Sequence, residues 1–214
     1  MAEVLIAREL LSDQVYDMIR TSILEGTVSP GDRLVESEIA RRLSVSQAPV
    51  REAIKKLVHD GLVTSVPRNG SYVTEISQDE LRIARQIRAA LERVGASTAV
   101  ESIDAGQLLE LEAIVSRMNL AVNSGDWASF RTLDMEFHAH VLAIGGHPIL
   151  TRLWAALEPL LVSQRAIGDP SYSGDKSRLV QWHVELIDAL RTRDPERAGE
   201  AFFEHASGLL GPID

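Results

Sequence analysis

The chain has 214 residues, of which 45% are hydrophobic and 25% are charged, and it contains no cysteine. This composition excludes disordered, collagenous and low-complexity proteins, and the missing thiols exclude disulfides, thiol nucleophiles, iron–sulfur clusters and thiolate zinc sites. A net charge of −9 argues against a protein that binds nucleic acid over its whole surface. No apolar run approaches the roughly 18 residues of a membrane span, so we expect no membrane contact and a cytoplasmic location.

The acidic charge is distributed unevenly along the chain. Residues 1–76 hold 9 Lys/Arg against 11 Asp/Glu, whereas residues 77–214 hold 13 against 20. Between Arg33 and Arg68 the balance reverses to 7 basic against 4 acidic residues. A locally basic stretch in an acidic chain is typical of a small nucleic-acid-binding module joined to a larger domain.

Two helices are predicted at the start of the chain. Apolar residues at helical spacing indicate a first helix from about Ser12 to Glu25. A turn at residues 29–32 separates it from a second, shorter helix, which is expected to include Leu34 and Leu43 on its apolar side.

A third helix with a basic face follows closely. Ser46 is predicted as its N-cap, and Pro49 falls in the first turn, where its fixed φ costs little. Four residues at helical spacing share one polar face of this helix: Gln47, Ala48, Arg51 and Lys55. A short helix, a tight turn and a basic third helix are typical of a helix-turn-helix, and the alternative is a solvated amphipathic helix.

Two short strands are predicted after the third helix. Residues 61–64 and 71–74 are predicted as two short strands joined by a turn at residues 67–70. This hairpin would form the wing of a winged helix. Asn69 and Gly70 at the tip have no bulk to prevent approach to a DNA groove. The alternative for these two residues is a plain hairpin turn.

From Ser77 onwards we find only helical periodicity. A Ser-x-x-Glu capping box opens a long helix at Ser77, and later start and stop residues predict six helices of about 15 to 25 residues. Short connections predict an antiparallel bundle, with one longer loop at residues 168–174. The predicted fold is therefore mainly α, with an N-terminal winged helix-turn-helix domain over residues 1–76 and an all-α antiparallel bundle over residues 77–214.

Five of the six histidines lie after residue 77. Asp134 and His138 are four residues apart, so one helix presents both side chains on the same face, as two ligands of one metal ion would require. His183 and His205 lie in the last two helices among apolar residues, and spacing alone favours core histidines satisfied by hydrogen bonds. His140 lies about 200° around the helix from His138 and cannot share a site with it.

A long run of motifs stands in register between Glu25 and Val73. Among them are Pro30-Gly31-Asp32-Arg33-Leu34, Glu38-Ile39-Ala40, Val45-Ser46 and Pro49-Val50-Arg51-Glu52-Ala53-Ile54. Together they closely resemble the winged-helix domain of GntR-type bacterial transcription regulators. The helical remainder is similar to the effector domain of the FadR-like subfamily in its metal-containing form. Many members have Arg after the capping Ser where this chain has Gln47, so the family's base preference there is not carried over.

The resemblance implies a DNA-binding transcription regulator. We expect it to repress rather than to activate transcription. Its helical domain would sense a small organic acid and form a homodimer that binds a palindromic operator in double-stranded DNA. The expected DNA contacts are Arg33, Ser46, Gln47, Ala48, Arg51, Lys55, Asn69 and Gly70. Arg41 and Arg42 are expected to be phosphate contacts or plain surface.

The resemblance also implies a metal site. Metal-containing members place an Asp-x-x-x-His pair on one helix and single histidines on the last two helices. Four residues match those positions: Asp134, His138, His183 and His205. Three imidazoles and one carboxylate suit a divalent ion such as Zn²⁺, Ni²⁺ or Mn²⁺.

Arg88 resembles the arginine of an Arg-x-x-Leu-Glu element that faces the effector cavity in this subfamily. It would hold a carboxylate effector beside the metal, and the alternative is a surface ion pair with Glu92. Gln164 and Arg165 are further pocket candidates. Two other functions stay open, namely a metal-dependent enzyme acting on a small carboxylate, for which we identify no general base, and a regulator whose metal is purely structural.

Overall fold

The computed structural model describes residues 2–75, 77–163 and 176–207. Within these ranges the chain forms nine helices and three short strands. They belong to two compact units, the first built chiefly from residues 2–75 and the second from residues 77–161 and 176–207. None of the described helices combines the length and the apolar character needed to cross a membrane.

Nearly all of the regular structure is helical. The elements in chain order are α1 (Ala2–Glu25), β1 (Arg33–Leu34), α2 (Glu36–Leu43), α3 (Gln47–His59), β2 (Val63–Val66), β3 (Gly70–Val73), α4 (Gln78–Ser102), α5 (Ala105–Ser124), α6 (Trp127–Ile144), α7 (Pro148–Ser163), α8 (Lys176–Arg191) and α9 (Pro195–Ser207). The mainly α fold predicted from the sequence is confirmed, and the described strands lie in the first unit.

The first unit is a winged helix-turn-helix. α2 ends at Leu43, and the C-cap residue Ser44, with a left-handed φ of 56°, turns the chain towards α3. The strands form an antiparallel sheet in the order β1-β3-β2, with Arg33 opposite Tyr72 and Val63 opposite Val73. The helices and the sheet enclose one apolar core, which consists of Val15, Ile19, Ile23, Leu34, Ala40, Val50, Ala53, Ile54, Leu57, Leu62, Val63 and Val73.

The structure corrects several predicted boundaries in this unit. α1 begins at Ala2 rather than near Ser12. Leu34 belongs to β1 rather than to a helix, because its backbone pairs with Ser71. The wing strands lie at 63–66 and 70–73 rather than at 61–64 and 71–74, since Gly61, with φ of 79°, forms the turn that ends α3. Hairpin and helix-turn-helix are nevertheless the predicted elements in the predicted order.

Ser46 occupies the N-cap position of α3, as predicted, but its side chain makes no capping hydrogen bond. The backbone there is extended, with φ of −71° and ψ of 162°, which is the usual N-cap conformation. The first N–H groups of α3 are therefore not satisfied by this hydroxyl and can bind another acceptor.

A hydrogen bond joins α1 to the end of α3. The Tyr16 hydroxyl donates to Asp60 Oδ2 at 2.6 Å, and Asp60 is the C-cap residue of α3. Partial burial and the bonded, negatively charged Asp60 raise the pKa of Tyr16 to about 12. The phenol is therefore protonated in the folded chain at pH values where an exposed tyrosine has begun to ionise.

We expect the protein to lose stability between about pH 10 and pH 12 through this group. In that interval the unfolded chain ionises Tyr16 while the folded chain keeps it protonated, so rising pH favours unfolding. Tyr16→Phe should flatten this pH dependence and lower the free energy of unfolding at pH 7 by about 1 kcal/mol. Urea unfolding at pH 7 and pH 11 measures both effects, with Tyr72→Phe as the control. An unchanged pH dependence in Tyr16→Phe would contradict the assignment.

The second unit is an antiparallel helical bundle around α4, which packs against α6, α8 and α9. The capping residues identified in the sequence mark the starts of α4, α5 and α9. Ser77 accepts from the Glu80 N–H while the Glu80 carboxylate accepts from the Ser77 N–H at 2.8 Å. Asp104 forms a second capping box at α5, and Asp194 caps α9. The loop predicted at residues 168–174 lies outside the described residues.

Glycines allow α4 to approach its neighbours closely. A Cβ atom built on Gly199 of α9 would collide with the Ser97 hydroxyl and lie 3.1 Å from the Arg93 carbonyl oxygen. A Cβ atom built on Gly95 of α4 would collide with the Leu142 side chain of α6. Packing therefore requires glycine at both positions, because a larger residue would push these helices apart.

Candidate functional site

Four potential metal ligands meet inside the second unit. Asp134 and His138 come from α6, His183 from α8 and His205 from α9. One ligand atom of each lies within 4.8 Å of the others, and the first three residues are buried while His205 is partly exposed. We call these four residues the histidine–aspartate cluster. The structure thus brings together all four residues that the sequence nominated as ligands.

The hydrogen bonds of His183 define which ring nitrogen faces the cluster. Its Nδ1 lies 2.8 Å from the Leu179 carbonyl oxygen, and its Nε2 lies 3.1 Å from Asp134 Oδ1. A carbonyl can only accept, so Nδ1 carries the ring proton and donates. In the neutral ring, Nε2 then directs a lone pair at a carboxylate oxygen that is also an acceptor. Two acceptors at this distance require a shared cation or a second ring proton.

His138 is the most deeply buried member of the cluster, with an exposed fraction of 0%. Its Nδ1 lies 2.8 Å from Glu92 Oε2, and its Nε2 lies 3.9 Å from Asp134 Oδ1. Neither nitrogen has a partner in hydrogen-bond alignment. An unsatisfied buried polar atom costs about 1 to 3 kcal/mol, and coordination of a metal ion by Nε2 would remove that cost.

A buried ion pair on α4 borders the cluster. Arg88 Nε lies 2.5 Å from Glu92 Oε1, and Arg88 Nη2 lies 3.5 Å from Asp134 Oδ2. The exposed fractions of Arg88 and Glu92 are 6% and 2%. The expected alternative of an Arg88–Glu92 pair is correct in its partners but wrong in placing the pair on the surface. α4 packs against α6. The guanidinium carbon of Arg88 lies 5.7 Å from the ring centre of Trp154 on α7.

The surroundings set the ionisation of the cluster. Burial alone would raise the pKa of Asp134, but contacts with His183, His138 and Arg88 outweigh it and hold that pKa well below its usual value. Burial lowers the pKa of His138 more than Glu92 raises it. Desolvation and the neighbouring imidazoles hold the pKa of His205 well below its usual value. A carboxylate with neutral imidazoles is the protonation state that metal binding requires.

The donor set fits a divalent transition-metal ion. One carboxylate oxygen and three imidazole nitrogens are suitable ligands for ions such as Zn²⁺, Ni²⁺ or Mn²⁺. Bonds of about 2.0 to 2.1 Å place neighbouring ligand atoms about 2.8 to 3.4 Å apart between octahedral and tetrahedral geometry, a range that includes the 3.1 Å between His183 Nε2 and Asp134 Oδ1. The 3.9 Å between His138 Nε2 and Asp134 Oδ1 would have to shorten when the ion binds. With neutral imidazoles, Arg88, Glu92 and Asp134 sum to one net negative charge, and a divalent ion would change it to one net positive charge.

Two other charged or titratable residues of α6, His140 and Glu136, have partners outside the cluster. His140 lies 2.9 Å from Glu110, and Glu136 pairs with Arg117 at 3.1 Å on the surface. The helix geometry predicted the exclusion of His140. The weaker pocket candidates at positions 164 and 165 lie outside the described residues.

In the first unit, the predicted contacts of the third helix are exposed. They are Ser46, Gln47, Ala48, Arg51 and Lys55. Arg51 pairs with Glu36 of α2 at 2.9 Å, and Lys55 pairs with Glu52 at 2.9 Å. Exposed ion pairs of this kind contribute at most about 1 kcal/mol, so a DNA phosphate or base could replace either carboxylate.

The remaining predicted contacts lie around the wing. Gly70 has a φ of 119°, and a Cβ atom there would lie 3.0 Å from Arg33 Nε, so glycine allows the Arg33 guanidinium to lie against the backbone. Asn69 is exposed at the wing tip, and Arg41 and Arg42 are exposed in the last turn of α2. Arg33 and the wing tip therefore form one surface, which the sequence did not predict.

Sequence reasoning missed two residues that contact or border the cluster. The sequence indicated Glu92 only as an ion-pair partner of Arg88, and its contact with His138 was not predicted. Trp154 lies with its ring centre 6.3 Å from that of His138. The i, i+4 spacing of Arg88 and Glu92 indicated their pairing, but Trp154 sits at ordinary core spacing, and no pattern distinguishes it.

Comparisons with known proteins identify both parts of the chain. The family model "FCD domain" matches residues 84–208, and "Bacterial regulatory proteins, gntR family" matches residues 11–73. The HTH-type transcriptional repressor RspR of Escherichia coli K12 is 29% identical over 197 residues, covering 91% of this chain and 85% of its own length. The probable D-xylose utilization operon transcriptional repressor of Paenarthrobacter nicotinovorans is 29% identical over 205 residues, covering 96% and 89%.

Solved structures show the same fold. E. coli McbR/YncC matches with a TM-score of 0.76 at 24% identity, over 94% of this chain and 95% of that chain. A putative GntR regulator from Rhodococcus sp. RHA1 matches with a TM-score of 0.71 at 24% identity, over 93% and 96%. The two family models together cover most of the chain, and the FCD model alone covers more than half. The protein therefore belongs to the gntR family of bacterial regulatory proteins, as a transcription regulator that joins a DNA-binding helix-turn-helix domain to an FCD domain.

Proposed function

We propose that this regulator is a cytoplasmic repressor whose FCD domain senses a small organic acid through a bound divalent metal ion. Residues 1–76 would bind DNA, and residues 77–214 would bind the effector and form a homodimer. RspR is described as a transcriptional repressor and the D-xylose operon relative as a probable one, and both descriptions support repression rather than activation. The observation that carries the proposal is the histidine–aspartate cluster, in which ligand atoms from three helices lie within 4.8 Å of one another.

On the DNA side, the exposed face of α3 would enter the major groove of the operator. Gln47 has the donor and acceptor that suit adenine, and Arg51 suits guanine. Lys55 and the N-terminus of α3 would contact phosphates. The wing tip, with Arg33 against its backbone, would approach the neighbouring sugar–phosphate backbone.

The charge of the metal site supports a carboxylate effector. Metal loading changes the net charge of Arg88, Glu92 and the histidine–aspartate cluster from −1 to +1, and an anion then brings the buried site to neutrality. When bound, the metal would supply an electropositive centre for one carboxylate oxygen. Arg88 lies 3.5 Å from Asp134, so its guanidinium borders the place where the acid would bind.

Exposed apolar residues support self-association of the FCD domain. Ile83, Ile87 and Val94 of α4 are 44%, 53% and 51% exposed, and their spacing puts them on one face of the helix. Clustered exposed apolar residues are typical of protein interfaces. We therefore include this face of α4 in the proposed homodimer interface. A two-fold dimer would place two α3 helices on the half-sites of a palindromic operator.

Calorimetry tests the proposal through the coupling between acid and DNA. Metal-loaded and metal-free proteins are titrated with a panel of short mono-, di- and hydroxycarboxylic acids, with and without an operator duplex selected from random DNA. We expect acid binding only in the metal-loaded protein. The operator should change the acid affinity by about 5- to 150-fold, and by reciprocity the acid should change operator affinity by the same factor.

The alternative functions give different results in the same experiment. Acid affinity that does not depend on the operator would remove the regulatory proposal. A metal that raises the melting temperature but leaves acid binding unchanged would be purely structural. Conversion of an acid to a product by the metal-loaded protein would instead favour an enzyme.

A further inference from the structure

We propose that Glu92 is a positioning residue of the metal site, which orients His138 so that Nε2 faces the metal and which links this histidine to Arg88. The inference rests on the proposed function, because it assumes that the histidine–aspartate cluster binds a metal ion. It concerns a residue on α4 that is itself outside the four-ligand set.

The two nitrogens of His138 face different partners. Nδ1 lies 2.8 Å from Glu92 Oε2, whereas Nε2 lies 3.9 Å from Asp134 Oδ1. This contact is short but is not aligned as a hydrogen bond, so Glu92 acts through its buried negative charge at 2.8 Å. That charge favours the tautomer that carries its proton on Nδ1, and the Nε2 lone pair is then free. A carboxylate behind a metal-ligating histidine acts in this way, because it fixes the tautomer and makes the ring a stronger ligand.

The two ring nitrogens of His183 are arranged in the same way, but a different group lies behind Nδ1. Its Nδ1 faces the Leu179 carbonyl oxygen at 2.8 Å, and its Nε2 faces Asp134 Oδ1 at 3.1 Å. Both histidines thus direct Nε2 towards the same carboxylate and Nδ1 towards an acceptor outside the cluster. The acceptor behind His138 differs because it carries a full negative charge.

Helix packing determines that Glu92 lies opposite His138. Arg88 and Glu92 are four residues apart on α4, and their partners Asp134 and His138 are four residues apart on α6. α4 and α6 therefore run in the same direction at this contact, as alternate helices of an antiparallel bundle do, with α5 between them in the chain. Gly95 fixes their register one turn further on, because the Leu142 side chain of α6 fills the space where its Cβ would lie.

Arg88 holds Glu92 in place. Its Nε lies 2.5 Å from Glu92 Oε1, which leaves Oε2 for His138, and its Nη2 reaches Asp134 Oδ2 at 3.5 Å. One buried ion pair on α4 therefore contacts both ligands that α6 supplies. A pair kept for stability alone could be replaced by apolar residues, whereas a positioning pair is needed for metal affinity.

A double-mutant cycle on the full-length protein separates these roles. Glu92→Gln keeps the size of the side chain and one acceptor oxygen but removes the charge. Zn²⁺ affinity is measured by competition with a chromophoric chelator in the wild-type, His138→Ala and His183→Ala backgrounds. We expect Glu92→Gln to weaken Zn²⁺ binding by about 10- to 100-fold in the wild-type background. Glu136→Gln, which lies on the surface of α6, is the matched control and should leave affinity unchanged.

The two histidine backgrounds decide the outcome. The loss caused by Glu92→Gln should disappear in His138→Ala, where there is no ring to position, and persist in His183→Ala. Equal losses in both backgrounds would show a general structural role and overturn the proposal, as would no loss in the wild-type background.

A second measurement needs no variant at Glu92. Nitrogen NMR of the wild-type protein should show His138 with its proton on Nδ1, and the opposite tautomer would overturn the assignment. If the wild-type protein binds no Zn²⁺, Ni²⁺ or Mn²⁺, the proposed metal function fails, and the tautomer still tests the contact with Glu92.

Discussion

Replacing His183 with alanine is expected to weaken the binding of a divalent ion by about 100- to 1000-fold. Four-ligand protein sites bind Zn²⁺ with roughly 10 to 16 kcal/mol, so one ligand of four accounts for about 2.5 to 4 kcal/mol. His183 is buried, and its Nε2 already lies at a ligand-to-ligand distance from Asp134 Oδ1. Elemental analysis of the purified protein and chelator competition measure occupancy and affinity. The melting temperature of His183→Ala in the presence of metal should be lower than that of the wild-type protein, because a more weakly bound ion stabilises the folded state less.

His140→Ala is the matched control for this substitution. His140 lies on α6, two residues after His138, but it pairs with Glu110 near the surface. Its removal should leave metal content and melting temperature unchanged. Full metal occupancy in His183→Ala, or a loss in His140→Ala as large as in His183→Ala, would show that the histidine–aspartate cluster is not the binding site.

Arg51→Ala is expected to remove specific operator binding while leaving the fold and the metal content intact. One good base contact contributes about 1 to 3 kcal/mol, and a homodimer carries the substitution twice. The combined loss of about 2 to 6 kcal/mol corresponds to roughly 30-fold or more in operator affinity. Arg51 lies on the exposed face of α3, with its side chain 55% exposed, so truncation leaves the core unchanged. Gel-shift titration against a selected operator and a scrambled duplex measures the loss.

Two controls separate DNA contact from local structure. Glu36→Gln removes the partner of Arg51 but leaves the guanidinium free, so operator binding should be retained or strengthened. Arg117→Ala removes an exposed arginine and its ion pair in the second unit and should have no effect. If Glu36→Gln and Arg51→Ala weaken binding equally, Arg51 acts by holding α2 to α3 rather than by contacting DNA.

Elements with local signals were predictable from the sequence. Ser77, Asp104 and Asp194 mark helix starts because a capping side chain bonds to backbone only two or three residues away. β1 gave no such signal. It has only two residues, and its existence depends on pairing Arg33 with Tyr72, which lies far along the chain. Pairing partners of this kind decide short strands, and a single sequence does not contain them.

In the candidate metal site, too, the residues with local sequence signals were predictable and those that depend on tertiary packing were not. Helical spacing predicted that Asp134 and His138 share a face, whereas His183 and His205 were nominated only through the family resemblance. Spacing alone favoured ordinary core histidines, because an apolar helix face predicts burial but not a common meeting point. The role of Glu92 depends on the register between α4 and α6, which a close contact at Gly95 determines. That contact is tertiary.

The close docking of the last described helix has a consequence for local unfolding. α9 has 13 residues, too few for a stable isolated helix, so it persists only while it is docked. The contacts at Gly199 and the 2.7 Å hydrogen bond from the Ser97 hydroxyl to the Pro195 carbonyl hold it on α4. Each detachment of α9 carries His205 away from the other three ligand groups. A bound ion would therefore oppose this opening, and amide hydrogen exchange along α9 would slow with metal occupancy while that of α2 and α3 would not.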